Sequence, residues 1–402
     1  MSHPTPSPTP PRPPQALAPA EQALLGALLQ QPHRLTEAGP LRPEHFYDPI
    51  HAALFHAVRA ISATAPARQA TADEANAPHE PGRPAGSWPA SGRHDPRREQ
   101  ALEQLNAIVS LAARQAAGTT VVYAHQLIDA CPEPRHVAAY GRMVLAAHTR
   151  RTVRAHAERL SRTAGDTTLP NRLQATAHAA RTLTQHLDQL AHLWRPHPAA
   201  TPRTPPPPAP RSHNERERSE RHGDERAFLA AVTTHPTALD VIRTYLNPDD
   251  IDYPLHQDLA RCLIALRHRG DAIDPVTVLW EAEHRGLLTT HQIAAQHVLD
   301  LCATSSEDPE HLARRLLDHA VLDQTVHTAH TIAAYSDNLT LSPHQLITGS
   351  RHALSQLAAR HARRQHAQRS TSPARPPEPG PVPAVPPAPG PPEQAPSRPV
   401  AR

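Results

Sequence analysis

The stretch FYDPIHAALFHAV, residues 46–58, returns about two hundred residues later as IDYPLHQDLARCL, residues 251–263. In both copies a Pro-x-His sequence is followed by apolar residues at i, i+4, i+7 and i+8, the spacing of one face of an α-helix. Proline suits the first helical turn, where its missing N–H would be unpaired anyway. The preceding Asp48 or Asp252 can cap such a helix. Each copy therefore predicts one helix that begins at its proline.

The match extends upstream of this stretch. EQALLGALLQQP, residues 21–32, corresponds to ERAFLAAVTTHP, residues 225–236, with one residue of slippage relative to the downstream match. Two predicted helices with a short proline-containing connection thus occur twice in the same order. Low-complexity sequence would not preserve both order and spacing, so the chain contains an internal duplication.

Composition limits how much of the chain can fold. Among 402 residues there are 48 prolines, and aromatic residues make up only 3%. Because the prolines cluster in segments that cannot pack a core, we predict disorder there. We expect five regions: a disordered Pro-rich start (1–16), a first helical domain (17–194) with a low-complexity insertion (63–98), a Pro/Arg-rich linker (195–223), a second helical domain (224–366) and a disordered Pro-rich tail (367–402).

The expected fold class is all-α, with two helical-bundle domains joined by the Pro-rich segments. Both foldable blocks are rich in Ala, Leu, Arg, Gln and Glu, and neither shows alternation at period two. In the second block, Asp274 as N-cap, Pro275 at the first position and Gly286 as the stop define one helix. Longer helices are predicted near 136–162, 171–193, 309–335 and 343–366.

Charge and cysteine content favour a cytoplasmic protein. The sequence predicts no signal peptide and no membrane span. Cys131, Cys262 and Cys302 are well separated and odd in number, which favours free thiols. The net charge of +3 and the pI of about 9.0 do not by themselves imply nucleic-acid binding.

The repeated blocks resemble the N-terminal domain of DnaB-type hexameric replicative DNA helicases. The resemblance rests on EQALLGALL and LRPEHFYDPIHAALFHA within residues 21–57, and on LNPDDIDYPLHQDLARCLIALRHRGDAIDPVTVLWEAEHRGLL at residues 246–288. The first block lacks the helix that begins at Asp274 and has the insertion in its place. It regains the pattern at residues 121–160, which correspond to residues 297–332 of the second block.

The resemblance implies a small helical bundle with a helical hairpin that pairs subunits into a collar above the motor. In that family the collar is also where primase and other replisome proteins dock. The motor is a separate RecA-like ATPase domain. A P-loop requires a lysine in G-x-x-x-x-G-K-[ST], and this chain contains no lysine. We therefore expect no enzyme and no cofactor, so a helicase label would be inherited from the collar domain.

The histidines and carboxylates do not predict a metal or catalytic site. His45, His51 and His56 lie close in sequence, but His51 and His56 are five residues apart and diverge on a helix, which favours solvated or capping roles. Pairs such as Asp249–Asp250 and Glu307–Asp308 precede helices, where acidic residues stabilise the positive end of the dipole. No serine lies in a G-x-S-x-G context, and no metal is expected.

The predicted function is docking on a replicative helicase or a primase, in primosome assembly or its regulation, with self-association through the helical hairpins. The candidate interaction or structural signature comprises Phe46, Tyr47, Pro49, His51, Leu54, Phe55, Ile251, Pro254, His256 and Leu259. A rival hypothesis is a DNA-binding accessory factor that uses the Arg-rich helices at residues 148–159 and 361–369. A second rival is a structural relic or a scaffold whose Pro-rich segments recruit partners, and a third is a non-catalytic subunit beside a complete helicase chain.

A DNA-binding groove would also need exposed aromatic side chains on which bases stack. Phe46, Phe55, Phe228 and Trp280 instead fall at positions that helix packing would use, so all four are expected to be buried. A salt titration of DNA binding tests this rival hypothesis directly, because phosphate contacts strengthen at low salt.

Overall fold

The computed structural model describes residues 15–64, 96–194 and 215–369, and all regular structure within these ranges is helical. The all-α prediction is therefore confirmed for this part of the chain. The Pro-rich start and most of the insertion, linker and tail lie outside the described residues. The first helix of the second half begins at Glu215, within the expected linker. Its last helix ends at Arg369, slightly beyond the expected end of the second domain.

The described residues of the first half (15–64 and 96–194) form six helices, of which the first five pack around one apolar core. The helices are α1 (Leu17–Gln30), α2 (Pro49–Thr64), α3 (Pro96–Ala113), α4 (Val121–Asp129), α5 (Val137–Gly165) and α6 (Arg172–Ala191). Phe46, Leu54 and Phe55 are buried in this core. Helix α3 follows the insertion and packs against α2.

The second half (residues 215–369) repeats the plan. Its helices are α7 (Glu215–Thr234), α8 (Leu239–Ile242), α9 (Pro254–Arg269), α10 (Pro275–His284), α11 (Leu287–Thr290), α12 (Ala295–Leu301), α13 (Pro309–Asp337) and α14 (Pro343–Arg369). Phe228, Ile251, Leu259 and Cys262 lie in its core. The helices predicted at the two repeated prolines both begin there.

Helix starts follow the expected capping chemistry with one exception. The Asp274 carboxylate accepts hydrogen bonds from the backbone N–H groups of Val276 and Thr277, at 2.8 and 2.9 Å. The Asp48 carboxylate accepts from the N–H of Ile50 at 2.8 Å. The prediction that Asp252 caps α9 is wrong, because the residue before that helix is Tyr253 and no side chain caps it. The capping aspartate of the first copy has thus been replaced by tyrosine.

A close helix contact depends on the absence of a side chain at one position. A Cβ on Gly26, in α1, would overlap the backbone carbonyl of Leu127 in α4. Glycine therefore allows these two helices to approach more closely than alanine would. The corresponding residue of the second half, five residues after Glu225, is Ala230.

The two halves pack together through a four-helix bundle. Helices α5 and α6 form a hairpin in the first half, α13 and α14 form one in the second, and the two hairpins share a third apolar core. Its buried members are Val153, Ala157, Leu160, Leu183, Leu187, Leu190, Ala329, Ile332, Leu346, Ile347, Leu354 and Leu357. Each hairpin thus buries its apolar face against the other hairpin of the same chain.

Polar contacts at the bundle join the same hairpins. Arg150 on α5 donates to the backbone carbonyls of Asn338, Leu339 and Leu341, in the turn between α13 and α14. Arg154 pairs with Asp337. These contacts fix one end of the bundle.

Among the described residues, no helix is both long and apolar enough to cross a membrane.

Candidate functional site

A buried glutamate–histidine pair lies at the centre of the repeated stretch in the first half. Glu21 on α1 and His51 on α2 are 1% and 2% exposed. The Nδ1–H of His51 donates to Glu21 Oε2 at 2.7 Å, and the backbone N–H of Tyr47 donates to Oε1 at 2.7 Å. The carboxylate thereby ties the start of α2 to α1, since both of its oxygens accept hydrogen bonds from that segment.

The other ring nitrogen of His51 is also satisfied. Its Nε2 lies 2.8 Å from the hydroxyl of Tyr123, on α4, which donates to it. Burial raises the pKa of Tyr123, which keeps this hydroxyl protonated as a donor. The three side chains form a continuous hydrogen-bonded chain across α1, α2 and α4.

The second half repeats the pair. Glu225 on α7 and His256 on α9 are each 1% exposed, and His256 Nδ1–H donates to Glu225 Oε2 at 2.7 Å. Glu225 Oε1 accepts from the backbone N–H of Asp252 at 2.7 Å. The duplicated sequence therefore produces a duplicated buried pair with the same function in the fold.

The surroundings of the second pair differ. His222, one turn before Glu225, packs its ring 4.8 Å from the ring of His256, and Tyr253 lies 5.0 Å from His222. Ligand atoms of His222, Glu225 and His256 all lie within 4.8 Å of one another, the one group in the described ranges that could hold a metal ion. His222 is not among the candidate residues of the sequence, where no metal was expected. The signal that could have found it is its H-x-x-E spacing from Glu225.

Most of the predicted signature residues are structural. Phe46, His51, Leu54, Phe55, Ile251, His256 and Leu259 are buried, whereas Tyr47, Pro49 and Pro254 are exposed. Tyr47 lies 5.6 Å beneath the guanidinium of Arg151, which also donates to the backbone carbonyl of His45. The interpretation of His51 as solvated or capping is wrong, because it is buried and paired with Glu21. His45 does cap, since its Nδ1 accepts from the N–H of Arg42 at 3.1 Å.

One aromatic residue that was expected to be buried is exposed. Phe46, Phe55 and Phe228 are buried as predicted, but Trp280 on α10 is 73% exposed. Val278 and Ala282 face the core on this helix, so Trp280 lies on the opposite side together with Val276, which is 67% exposed. These two side chains, at i and i+4, form an exposed apolar pair, which we call the α10 patch.

The Arg-rich helices are engaged within the chain. In the 148–159 run, Arg150, Arg151 and Arg154 bond to the backbone or to carboxylates as described above. In the 361–369 run, Arg363 pairs with the buried Asp250 at 2.9 Å and Arg364 pairs with Asp318 at 2.6 Å. Asp250 therefore anchors α14 besides capping its own helix start. These five guanidinium groups stabilise the fold, which leaves fewer of them for phosphates.

The cysteines lack the surroundings of a nucleophile. Burial raises the pKa of Cys262 to about 11, and that of Cys302 also to about 11. Thiols in such surroundings stay protonated near neutral pH, and the thiolate is the reactive form.

Asp308, expected at a helix start, accepts from the N–H of Glu310 at 3.0 Å and so acts as a cap.

Histidines at the base of the first hairpin are shielded from protonation. Burial lowers the pKa of His148 to about 3, with further contributions from His45, Arg151 and His186. Burial also lowers the pKa of His156 and of His186, whose rings lie 4.6 Å apart. All three groups favour the neutral form in the folded bundle.

We expect the folded state to lose stability as the pH falls below about 6.5, the ordinary histidine pKa. The unfolded chain then binds protons that the native bundle excludes until the pH approaches the folded pKa, about 3 for His148. Each such histidine contributes at most about 1.4 kcal/mol per pH unit, less where solvent screens it. Urea unfolding at several pH values measures the effect.

Protonation of carboxylates also destabilises the folded protein in acid. The contribution of His148 is therefore isolated by comparing the wild-type protein with His148→Gln. This variant should show a shallower decline than the wild-type protein between about pH 6.5 and pH 4. Parallel curves for the two proteins would contradict a buried, neutral His148.

Parts of this chain are similar in sequence to known proteins. The model of the family "DnaB-like helicase N terminal domain" matches residues 12–70 and 218–318. Replicative DNA helicase DnaC of Bacillus subtilis (strain 168) is 30% identical over 112 residues, which are 27% of this chain and 24% of that protein. The chain thus spans about a quarter of that relative's length. No solved structure matches the chain.

One matched segment falls in each of the two halves. The first contains Glu21 and His51, the second contains Glu225 and His256, and the match concerns the N-terminal domain alone. The family model of the DnaB-like helicase N-terminal domain is therefore similar to one segment in each half of the chain.

Proposed function

We propose that this protein is a replication-associated accessory protein that docks on a replicative helicase or a primase. The observation that carries the proposal is the pairing of two helicase-type N-terminal domains in one chain, through hairpins that bury their apolar faces against each other. Such a chain presents a ready-made pair of collar domains. Because it contains no lysine for a P-loop, ATP hydrolysis would be supplied by the partner.

The hairpins leave the outer surfaces of each domain available for a partner. The α10 patch is the best candidate docking surface, because a large aromatic residue at 73% exposure is costly to leave in water and is typical of binding hot spots. The sequence of the first half lacks a counterpart of α10 and has the low-complexity insertion (63–98) in its place. We therefore expect docking through the second half.

Size-exclusion chromatography with light scattering tests the proposal. The chain is measured alone, and then mixed with the replicative helicase and with the primase of its own cell. Co-elution with either protein supports docking. A chain that elutes alone in both mixtures, at concentrations well above micromolar, would remove the proposal.

Substitution of the α10 patch should weaken that complex. We expect Trp280→Ser combined with Val276→Ser to lower the affinity at least tenfold, about 1.4 kcal/mol, because truncation of a central aromatic residue usually costs more than 1 kcal/mol. Titration calorimetry measures the dissociation constant.

Leu339→Ser is the matched control, since Leu339 is 66% exposed and lies far along the chain, in the turn of the second hairpin. It should bind as the wild-type protein does. Equal loss in both variants would mean that the α10 patch is not the docking surface.

A further inference from the structure

The two buried Glu–His pairs differ in the second nitrogen of the histidine. In the first half His51 Nε2 is bonded to the Tyr123 hydroxyl. In the second half His256 Nε2 has no hydrogen-bond partner among the described residues, although His256 is only 1% exposed. Buried polar atoms are nearly always satisfied, so this nitrogen calls for a ligand that the protein chain alone does not provide.

Two positions near this nitrogen are occupied by histidine in the second copy but not in the first. On α4 the buried residues are Ala124 and Leu127, and on α12 they are Val298 and Leu301, which fixes the register of the two helices. In that register His297 occupies the position of Tyr123. Counting back from the two glutamates in the same way, His222 occupies the position of Ala18. Two non-histidine residues of the first copy are thus histidines in the second.

His222 lies directly against His256. The His222 and His256 rings are 4.8 Å apart, and ligand atoms of both lie within 4.8 Å of each other and of Glu225. His297 lies on α12, which packs against α7, the helix that carries His222 and Glu225. The exposed Arg226 also acts on His222, whereas the nearby buried Arg221 is paired with Asp323. The cluster therefore holds two imidazoles and one carboxylate, with His297 on the neighbouring helix α12.

The arrangement has the chemistry of a zinc ligand set. A metal-bound histidine almost always donates its other ring N–H to a carboxylate, which fixes the tautomer and leaves a lone pair for the metal. The hydrogen bond from His256 Nδ1–H to Glu225 has this form, at 2.7 Å. Three histidines with a water in the fourth position are one of the standard zinc sites.

We propose that the second domain binds a zinc ion through His256 Nε2, His222 and His297, with Glu225 orienting His256. His222 is only partly buried and His297 is exposed, so both side chains have the freedom to draw in to the Zn–N distance of about 2.0–2.1 Å. The ion would join α7, α9 and α12. It would replace in the second copy the hydrogen bond that Tyr123 makes in the first.

The experiment uses the full untagged chain, stripped of metal with a chelator and titrated with Zn²⁺ by calorimetry and with Co²⁺ by visible absorption. We expect one tight equivalent, the intense Co²⁺ bands of a tetrahedral site, and a rise in melting temperature on addition of Zn²⁺. His222→Ala and His297→Ala should each weaken this binding at least tenfold. His268→Ala should bind as the wild-type protein does, because His268 is an exposed histidine on the same helix as His256.

A second variant guards against loss of fold. His297→Tyr restores the residue of the first copy, so its hydroxyl can satisfy His256 Nε2 while the third imidazole is lost. It should remain folded by circular dichroism and lose the tight equivalent. Zn²⁺ binding of equal affinity in the wild-type, His222→Ala and His297→Tyr proteins would overturn the proposal and assign the binding to scattered surface histidines. Undetectable binding to the wild-type chain would also overturn it.

Discussion

Ile332→Asp is expected to separate the two halves of the chain. Ile332 is fully buried in the core that α5 and α6 share with α13 and α14. An unpaired carboxylate in that position must either remain charged in an apolar environment or become protonated at a cost, and both disfavour the bundle. We expect a loss of about 4 kcal/mol or more, of the size seen for uncompensated buried charges. Urea unfolding measures it.

The separation itself has a distinct signature. The two domain cores lie outside the shared bundle, so they should stay helical while the hairpins part. Small-angle X-ray scattering should show a larger radius of gyration, and limited proteolysis should cut the hairpins first. Leu339→Asp is the control, because Leu339 is 66% exposed in the turn between α13 and α14. Identical behaviour of the two variants would contradict pairing through this core.

The sequence predicts much of this fold because its signals are local. Helix periodicity and prolines at first turns place α2, α9 and the four hairpin helices within a few residues of their observed bounds. The duplication is visible because order and spacing survived. Pairing of the hairpins within one chain is not local, since Ile332 and Leu187 lie far apart in sequence. An amphipathic helix requires a partner, but its own residues do not specify which one.

The exposure of Trp280 could not be predicted from the sequence pattern of its helix. Its helix α10 carries apolar residues on two sides, Val278 and Ala282 on one and Val276 and Trp280 on the other. Composition alone favours burial of the larger side chain. The observed choice depends on which face meets the neighbouring helices, and here Val278 and Ala282 are the fully buried residues. The exposed tryptophan is therefore a departure from the sequence pattern, and such departures often mark functional positions.

The buried pair was only half visible in the sequence. His51 and His256 stand out in the repeated Pro-x-His segment, but Glu21 and Glu225 look like ordinary polar residues at the start of an amphipathic helix. Their function depends on partners 26 to 31 residues away. The available signal was that a glutamate precedes the apolar run at the same place in both copies.

Glu21→Ala is expected to cost about 3–5 kcal/mol of folding free energy, the range for removal of one member of a buried charged or hydrogen-bonded pair. The substitution leaves the Nδ1–H of His51 and the N–H of Tyr47 without their acceptor, and it opens a cavity between α1 and α2. Urea denaturation followed by circular dichroism measures the loss. The control is Glu37→Ala, because Glu37 is exposed and pairs with the nearby Arg34, an interaction worth about 1 kcal/mol or less.

Glu21→Gln separates charge from hydrogen bonding in the same pair. The amide oxygen can still accept one of the two hydrogen bonds, but the amide N–H₂ that replaces the second oxygen faces another donor. We expect a loss between those of the two alanine variants, about 1–3 kcal/mol, since one buried donor stays unsatisfied. If Glu21→Gln were neutral, the carboxylate would not be needed at this position, and the recurrence of glutamate in both copies would need another cause. A loss as large as that of Glu21→Ala would show instead that both acceptor oxygens are required to hold α2 against α1.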